Sequence, residues 1–382
     1  MRFDDLLSSV GGFGRYQKTL YVWICLPQVL IAFHMMASVF TGATPPHRCR
    51  DTWRHDNASG APASACLARA PNGTARTCGA GWTYSREVFE STVVTEVDCT
   101  PDTLHFLQSH THTPVRLSPP VLDRYGRRFA LLASLALQTV FGVGTAFAPS
   151  FPLYVFLRFI VGAAVSGVII NAFVLGTEWT CTRHRMLAGI ITDYFFGLGY
   201  MLLAGVAYLV RDWRKLQLAI SAPGFLFIFY IWVLPHSARW LLANDRRDEA
   251  IVLLRRAAAV NGKDFPSTKF EILPEQRRSH TAVDLVRTPQ MRKRAIILFY
   301  IWFVNVLVYY GLSLGVSHLG VNLYLTQFVF GVVEIPARSL VMLFLPCSRR
   351  LPQSAFLAVG GAACLLTLAV PAGERWGRPA AA

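Results

Sequence analysis

The chain has 382 residues, of which 53% are hydrophobic and 15% are charged, and its formal net charge is +15. A soluble chain of this length usually carries about 25% charged residues, so the composition argues against a soluble protein. The positive charge does not indicate a nucleic-acid partner, because the Lys and Arg residues lie in short loops beside apolar blocks, where basic residues orient membrane helices.

Eight apolar blocks of the sequence have the length of a membrane-spanning helix. A helix needs about 20 residues to cross a hydrocarbon core about 30 Å thick. In chain order, the predicted spans are residues 19–40, 129–148, 152–176, 187–210, 216–234, 295–315, 321–345 and 354–370. The sequence therefore predicts an all-α, multi-pass membrane protein surrounded by a lipid bilayer.

The polar segment after the first span, residues 41–100, has the composition of an extracellular loop. It carries two glycosylation sequons and four cysteines, at Asn57, Asn72, Cys49, Cys66, Cys78 and Cys99. Sequons and groups of cysteines are typical of an oxidising, extracellular environment. We expect two disulfides in this loop, and four cysteines allow three pairings.

Residues 99–122 pose a topological problem. The loop before them is predicted to be extracellular, whereas the basic segment after them is typical of the cytoplasmic side. No apolar run between the two is long enough to span, and irregular backbone exposed to lipid is excluded because its polar groups would be unpaired. We therefore expect the second span to be missing. His105, His110 and His112 in this segment lack the companions that a metal site needs.

A second polar segment, residues 236–294, is rich in basic residues, as expected of a cytoplasmic loop. It contains an amphipathic stretch at residues 247–259, either a helix on the inner face of the membrane or a linker between bundles. The predicted organisation is an N-terminal bundle at residues 1–235, this linker, and a partial C-terminal bundle at residues 295–382. No catalytic motif and no cofactor site is predicted, so we do not expect an enzyme.

Several short motifs occur in an order that identifies a family. Residues 123–128 read DRYGRR and match most of the signature G-x-x-x-D-R-x-G-R-R, with Pro119 in place of the first Gly. The other motifs are GGFGRYQ at residues 11–17, RFIVG at 158–162, TEW at 177–179, LLAGVAY at 202–208, DWR at 212–214 and SARWL at 237–241. Together they resemble solute carrier family 22, the organic anion, organic cation and carnitine transporters of the major facilitator superfamily. The resemblance covers nearly all of residues 1–99 and 123–371.

Two segments resemble the organic anion branch of that family, VYYGL at residues 308–312 and VEIPAR at 333–338. The resemblance implies transport of small organic anions, such as aromatic or dicarboxylic acids, by alternating access in the plasma membrane, as an exchanger or a facilitated carrier. It also implies that Arg338 holds the carboxylate of the solute, since a guanidinium can bind a carboxylate bidentately. Alternatively, Arg338 pairs with Glu334, one helical turn away. An arginine inside the membrane needs either a partner or a wet cavity.

The resemblance assigns further residues to the central cavity and to a conformational latch. The cavity residues are Tyr309, Tyr310, Trp302, Tyr230, Phe173 and Met35, although an aromatic residue in a membrane helix can equally serve packing or interfacial anchoring. Asn171 and Asn305 are candidates for interhelical hydrogen bonds or for ligand contacts. The latch residues are Asp123, Arg124, Gly126, Arg127, Arg128, Arg158 and Glu334. Asp193 is unusual for the family and receives no role.

The sequence also departs from the family pattern. His236 replaces a glutamate, the repeated signature is reduced to CSRR at residues 347–350, and the chain stops after its last predicted span, whereas the family has twelve spans. We therefore expect a shortened major facilitator fold with about eight or nine of twelve helices. Because alternating access needs two bundles around one site, a non-transporting isoform that associates with a full-length sibling is an alternative. An organic cation or zwitterion carrier is another.

Overall fold

The computed structural model describes residues 3–49, 68–69, 75–76, 81–97, 126–265, 287–315, 322–344, 348 and 350–369. Its α-helices are α1 (Phe3–Ser9), α2 (Arg15–Cys25), α3 (Pro27–Met36), α4 (Ser38–Thr41), α5 (Val93–Val97), α6 (Arg127–Ala146), α7 (Phe151–Glu178), α8 (Arg185–Leu209), α9 (Trp213–Ser221), α10 (Tyr230–Val233), α11 (Ala238–Ala243), α12 (Arg247–Asn261), α13 (Pro289–Gly315), α14 (Leu323–Phe344) and α15 (Arg350–Ala369). Two 3₁₀ helices lie at Thr182–His184 and Ala222–Phe229.

Seven helical segments within the described part of the chain are long and apolar enough to cross a membrane. They are Arg15–Thr41, Arg127–Ala146, Phe151–Glu178, Thr182–Leu209, Trp213–Val233, Pro289–Ser313 and Leu323–Phe344. The eighth predicted span corresponds to a shorter apolar helix, Arg350–Leu366. Observed and predicted bounds differ by only a few residues, because the hydrocarbon thickness fixes the length of each apolar block. The predicted all-α membrane fold is confirmed.

Two of these spans are interrupted at a proline. The first span consists of α2, α3 and α4 in succession, and α3 begins at Pro27, a position where the missing N–H of proline is tolerated. The fifth span joins α9 to α10 through the 3₁₀ helix, which contains Pro223. Within it, a Cβ at Gly224 would lie 2.2 Å from the Thr139 hydroxyl oxygen. Glycine therefore lets this irregular segment pack closely against α6.

The main core lies between α6 and α7. Leu131 and Leu135 of α6 pack with Val165 and Val168 of α7 in one buried cluster. A Cβ at Gly167 of α7 would lie 2.4 Å from the Ser134 hydroxyl oxygen, so these two helices approach closely. Small residues at helix crossings are the usual means of packing in membranes, where lipid offers no hydrophobic drive for association.

The linker helix α12 packs against the start of the chain. It buries Leu254 in the same cluster as Leu6 and Leu7 of α1. At its end, the Asn261 side chain donates to the Val10 carbonyl oxygen at 2.9 Å and accepts from the Tyr16 amide at 2.9 Å. The amphipathic stretch predicted at residues 247–259 is thus a helix docked on the N-terminal elements.

The predicted extracellular loop contains short antiparallel strands. β1 (His47–Cys49) pairs with β4 (Trp82–Tyr84), and β2 (Ala68–Arg69) pairs with β3 (Ala75–Arg76). Only the backbone of Cys49 is described here. The predictions on Cys66, Cys78, Cys99, Asn57 and Asn72 lie outside the described residues, and so does the predicted gap at residues 99–122.

Candidate functional site

Helices α8 and α14 cross closely, and glycines make the crossing possible. A Cβ at Gly331 of α14 would lie 2.6 Å from Met201 Cγ and 2.9 Å from the Met201 backbone nitrogen. A Cβ at Gly197 of α8 would lie 3.4 Å from Glu334 Cβ. We call this contact between α8 and α14 the seam. It joins the predicted N-terminal bundle to the predicted C-terminal one.

A cluster of three charged side chains lies at the seam. Arg338 Nη1 is 3.3 Å from Asp193 Oδ2 on α8, and Arg338 Nη2 is 3.3 Å from Glu334 Oε2 on α14. Arg338 Nε also donates to Glu334 Oε2, at 3.3 Å. The Tyr309 hydroxyl of α13 donates to the other Glu334 oxygen at 3.2 Å. Two carboxylates and one guanidinium give this cluster a formal charge of −1.

A cavity of ≈ 540 Å³ opens beside the cluster. Its lining residues are Tyr200, Asn305, Tyr309, Leu312, Ser313, Phe330, Val333, Glu334, Ala337, Arg338, Val341 and Phe356. Apolar and aromatic walls with a few converging polar groups are the usual composition of a small-molecule site, and such sites occupy roughly 300–1,000 Å³. The cavity therefore has the size and chemistry to hold a small amphipathic solute.

Two hydrogen bonds between polar side chains also cross the seam. The Tyr200 hydroxyl of α8 donates to the Gln327 side-chain oxygen of α14. Tyr194 of α8 and Ser339 of α14 share a hydrogen bond of 2.7 Å between their hydroxyl oxygens. The Gln327 side-chain nitrogen also donates to the Ser313 carbonyl oxygen of α13, at 3.2 Å. None of these residues belongs to a motif recognised in the sequence, although a glutamine inside an apolar span was a signal that could have found Gln327.

The structure brings together only part of the predicted cavity set. Arg338 and Tyr309 line the cavity, and Asn305 does so as well. The Tyr310 ring lies edge-on to Tyr309, with 5.5 Å between ring centroids, but it does not line the cavity.

Four other predicted cavity residues lie elsewhere. Tyr230 is buried and donates to the Trp23 carbonyl oxygen at 2.6 Å. Met35 packs against the core cluster. Phe173 of α7 and Trp302 of α13 are exposed and do not line the cavity. Asn171 donates to Gly167 within its own helix, at 2.8 Å.

The predicted latch residues are distributed over three places. Gly126, Arg127 and Arg128 lie at the start of α6, where Arg127 is 3.6 Å from Glu178 Oε1 and Arg128 donates to the Ile231 carbonyl oxygen. Arg158 is buried in α7 and donates to the His34 carbonyl oxygen at 3.4 Å. Glu334 belongs to the charge cluster of the seam instead. Asp123 and Arg124 lie outside the described residues.

Gly126 needs its glycine for two reasons. Its φ is 88°, in the region that residues with a side chain rarely adopt. A Cβ there would also lie 3.1–3.3 Å from the Trp240 ring, which is buried in α11. The turn before α6 therefore rests directly on the indole of the linker.

A second cavity, of ≈ 780 Å³, lies between α2, α10 and α12. Charges of both signs line it, including Arg128, Glu249 and Arg256, together with His236. Burial, and then the positive charges of Arg128 and Arg246, lower the pKa of His236 below its usual value. None of the predicted cavity residues lines this space, so the smaller cavity is the better candidate for a solute site. Within the described ranges, no group of three His, Cys, Asp or Glu side chains could hold a metal ion.

Comparison with known proteins gives consistent matches. The model of the family described as "Sugar (and other) transporter" matches residues 117–378. Human solute carrier family 22 member 13 is 36% identical, over 97% of this chain and 74% of its own length. The organic cation transporter protein of Drosophila melanogaster is 34% identical, over 98% of this chain and 77% of its own length. Bovine solute carrier family 22 member 6 is 35% identical, over 97% of this chain and 76% of its own length.

The solved structures show the same architecture. The xylose transporter XylE from E. coli, in a partially occluded inward-open conformation, matches with a TM-score of 0.52 at 16% identity. The match covers 88% of this chain and 72% of that transporter. At this identity the likeness shows the fold alone.

Proposed function

The chain belongs to solute carrier family 22, within the major facilitator superfamily of multi-pass membrane transporters, and from this premise we propose that it carries small organic anions across the plasma membrane. The proposed solutes are aromatic or dicarboxylic acids. They would bind in the cavity beside the seam and move by alternating access, in which two bundles rock about a site at their interface.

The observation that carries this proposal is the position of Arg338. Among the described residues that line the cavity, it is the only arginine. Its side chain is 41% exposed, and its contacts with Asp193 and Glu334 are all 3.3 Å long. Tight charged hydrogen bonds between nitrogen and oxygen measure about 2.7–2.9 Å. The guanidinium therefore keeps donor capacity for the carboxylate of a solute.

The cavity walls suit the rest of such a solute. Phe330 and Phe356 contribute apolar surface, and Tyr200 and Tyr309 contribute aromatic surface with a hydroxyl at one end. Aromatic side chains combine a large apolar area with, in tyrosine, a polar handle. A flat organic acid could therefore pack its body against the walls while its carboxylate meets Arg338.

An organic cation or zwitterion carrier is the second candidate, because the cluster holds two carboxylates. Asp193 and Glu334 together outweigh the single charge of Arg338. An ammonium group could bind to one of these carboxylates, and a zwitterion could bind to both signs of charge. The Drosophila relative named an organic cation transporter protein is as similar to this chain as the bovine relative.

Uptake of two labelled probes, benzoate and tetraethylammonium, tests the proposal. Cells would express the chain, Arg338→Ala or Arg338→Lys, and uptake would be normalised to the amount of protein at the cell surface. A hydrogen bond to a charged group contributes about 1.5–3 kcal/mol, so we expect benzoate uptake to fall at least about tenfold in Arg338→Ala. Arg338→Lys should retain part of it, because lysine keeps the charge but loses the bidentate fork.

The matched control is Arg292→Ala, which removes an exposed arginine at the start of α13 and should leave uptake unchanged. Benzoate uptake that survives Arg338→Ala would overturn the anion proposal. Tetraethylammonium uptake that depends on Asp193 or Glu334 would support the second candidate instead. A chain that reaches the cell surface and takes up neither probe would support the non-transporting alternative.

A further inference from the structure

We infer that Asp193 is a specificity-determining residue, whose carboxylate pairs with Arg338 beside the cavity and competes for that guanidinium with the carboxylate of the solute. The inference rests on the proposed function, since it concerns the same arginine. It assigns a role to a residue for which no motif and no family resemblance provides one.

The first step is the placement of Asp193. It lies on α8, whereas Arg338 lies on α14, so their contact of 3.3 Å joins the two helices of the seam. Gly197, one turn after Asp193, has Glu334 Cβ close to its own backbone. The tight crossing therefore directs the Asp193 carboxylate towards the guanidinium.

The second step is that the two carboxylates are held differently. Glu334 is only 15% exposed, sits on the same helix as Arg338 and accepts a hydrogen bond from the Tyr309 hydroxyl. Asp193 is 42% exposed, and its one ion pair at the seam is with Arg338. Glu334 is thus fixed from two sides, and Asp193 is the partner that a solute can displace.

The net charge of the cluster gives Asp193 an influence on which solutes bind. Asp193, Glu334 and Arg338 together carry a formal charge of −1. A monocarboxylate brings it to −2 while Asp193 stays ionised, so Asp193 opposes anion binding by competition and by repulsion. Removing its charge should favour anions, and keeping it should favour solutes that also carry a positive group.

Displacement of Asp193 has a second consequence at the seam. When the solute takes over Arg338, the ionic contact between α8 and α14 is lost, while the neutral hydrogen bonds of Tyr194 and Tyr200 remain. Anion binding would then weaken one of the ties between the two predicted bundles. This couples recognition of the solute to the movement that alternating access requires.

Kinetics of Asp193→Asn, measured beside those of Arg338→Ala, test the inference. Ion pairs between partly exposed side chains are weak, and the free energies typical of such pairs correspond to about a 1.4- to fivefold change in affinity. We expect the KM for benzoate to fall about 1.4- to fivefold in Asp193→Asn. Asp193→Glu should keep a KM near that of the parent chain, since it retains the carboxylate. Asp248→Asn, which neutralises an exposed aspartate of α12, is the matched control.

The outcomes separate this inference from the proposed function. Benzoate uptake that persists in Arg338→Ala overturns both. If Arg338→Ala is inactive but Asp193→Asn has an unchanged or higher KM, the inference alone is wrong. Should Asp193→Asn not reach the cell surface, Asp193→Ser replaces it. Affinity can then be measured from the thermal stabilisation of detergent-purified protein by benzoate, which depends on the ratio of ligand concentration to Kd.

Discussion

The close approach of α8 and α14 at the seam can be tested by adding one methyl group at Gly331. In Gly331→Ala the new Cβ would lie 2.9 Å from the Met201 backbone nitrogen, about half an ångström inside ordinary contact. The Met201 side chain can move aside, but its backbone nitrogen can retreat only if α8 and α14 separate. Overpacking of this kind costs about 1–3 kcal/mol. The change from glycine to alanine in a helix offsets up to about 1 kcal/mol of that cost.

Gly205→Ala provides the matched control. Gly205 lies in α8 with nothing within 4 Å of its would-be Cβ, so this variant gains helix propensity without overpacking. Thermal unfolding of the detergent-purified proteins should therefore rank Gly205→Ala at or above the parent chain and Gly331→Ala below Gly205→Ala by about 1–3 kcal/mol. Equal stability of the two alanine variants would refute the close crossing on which the charge cluster depends.

Three further predictions concern positions outside the seam. Asp212 caps α9 by accepting from the Arg214 and Lys215 amides, and Asp212→Ala should lower the free energy of unfolding by about 1 kcal/mol in chemical denaturation. The pKa of His236 is lowered in the folded chain, so its imidazole is protonated at a higher pH in the unfolded chain than in the folded one. The free energy of unfolding should therefore fall as the pH decreases through about 6.5. His236→Gln should flatten that part of a profile of Tm against pH. Asn261→Ala leaves the Val10 carbonyl and the Tyr16 amide without this partner, and limited proteolysis should then cut near α12 faster than in the parent chain.

The helices of the fold could be predicted from the sequence because their information is local. Each apolar block is as long as the bilayer is thick, so the span at Phe151–Glu178 is recognisable without knowledge of its neighbours. The ion pair of Arg338 with Glu334 is local in the same way, since the two residues are four positions apart on one helix. Their spacing alone predicts this pair, which was the alternative to a solute contact.

The rest of the candidate site depends on how helices cross. Asp193 and Arg338 are neighbours only because Gly197 and Gly331 let α8 and α14 approach. The sequence of neither helix predicts that the other one packs against it. Phe173 lies on a helix that is apolar on every side, so the sequence could not tell its inner face from its outer face. The placement of such residues is a property of tertiary packing.

The contact between Gly126 and Trp240 has a practical consequence for hybrid proteins. The two residues are far apart in the chain, yet the turn at Gly126 packs directly against the indole of Trp240. A chimera that imports residues 126–128 from a relative without residues 237–241 would bring together a turn and an indole from two different proteins, and the close contact between them could be lost. Domain exchanges between transporters of this family should therefore transfer both stretches together, or leave both in place.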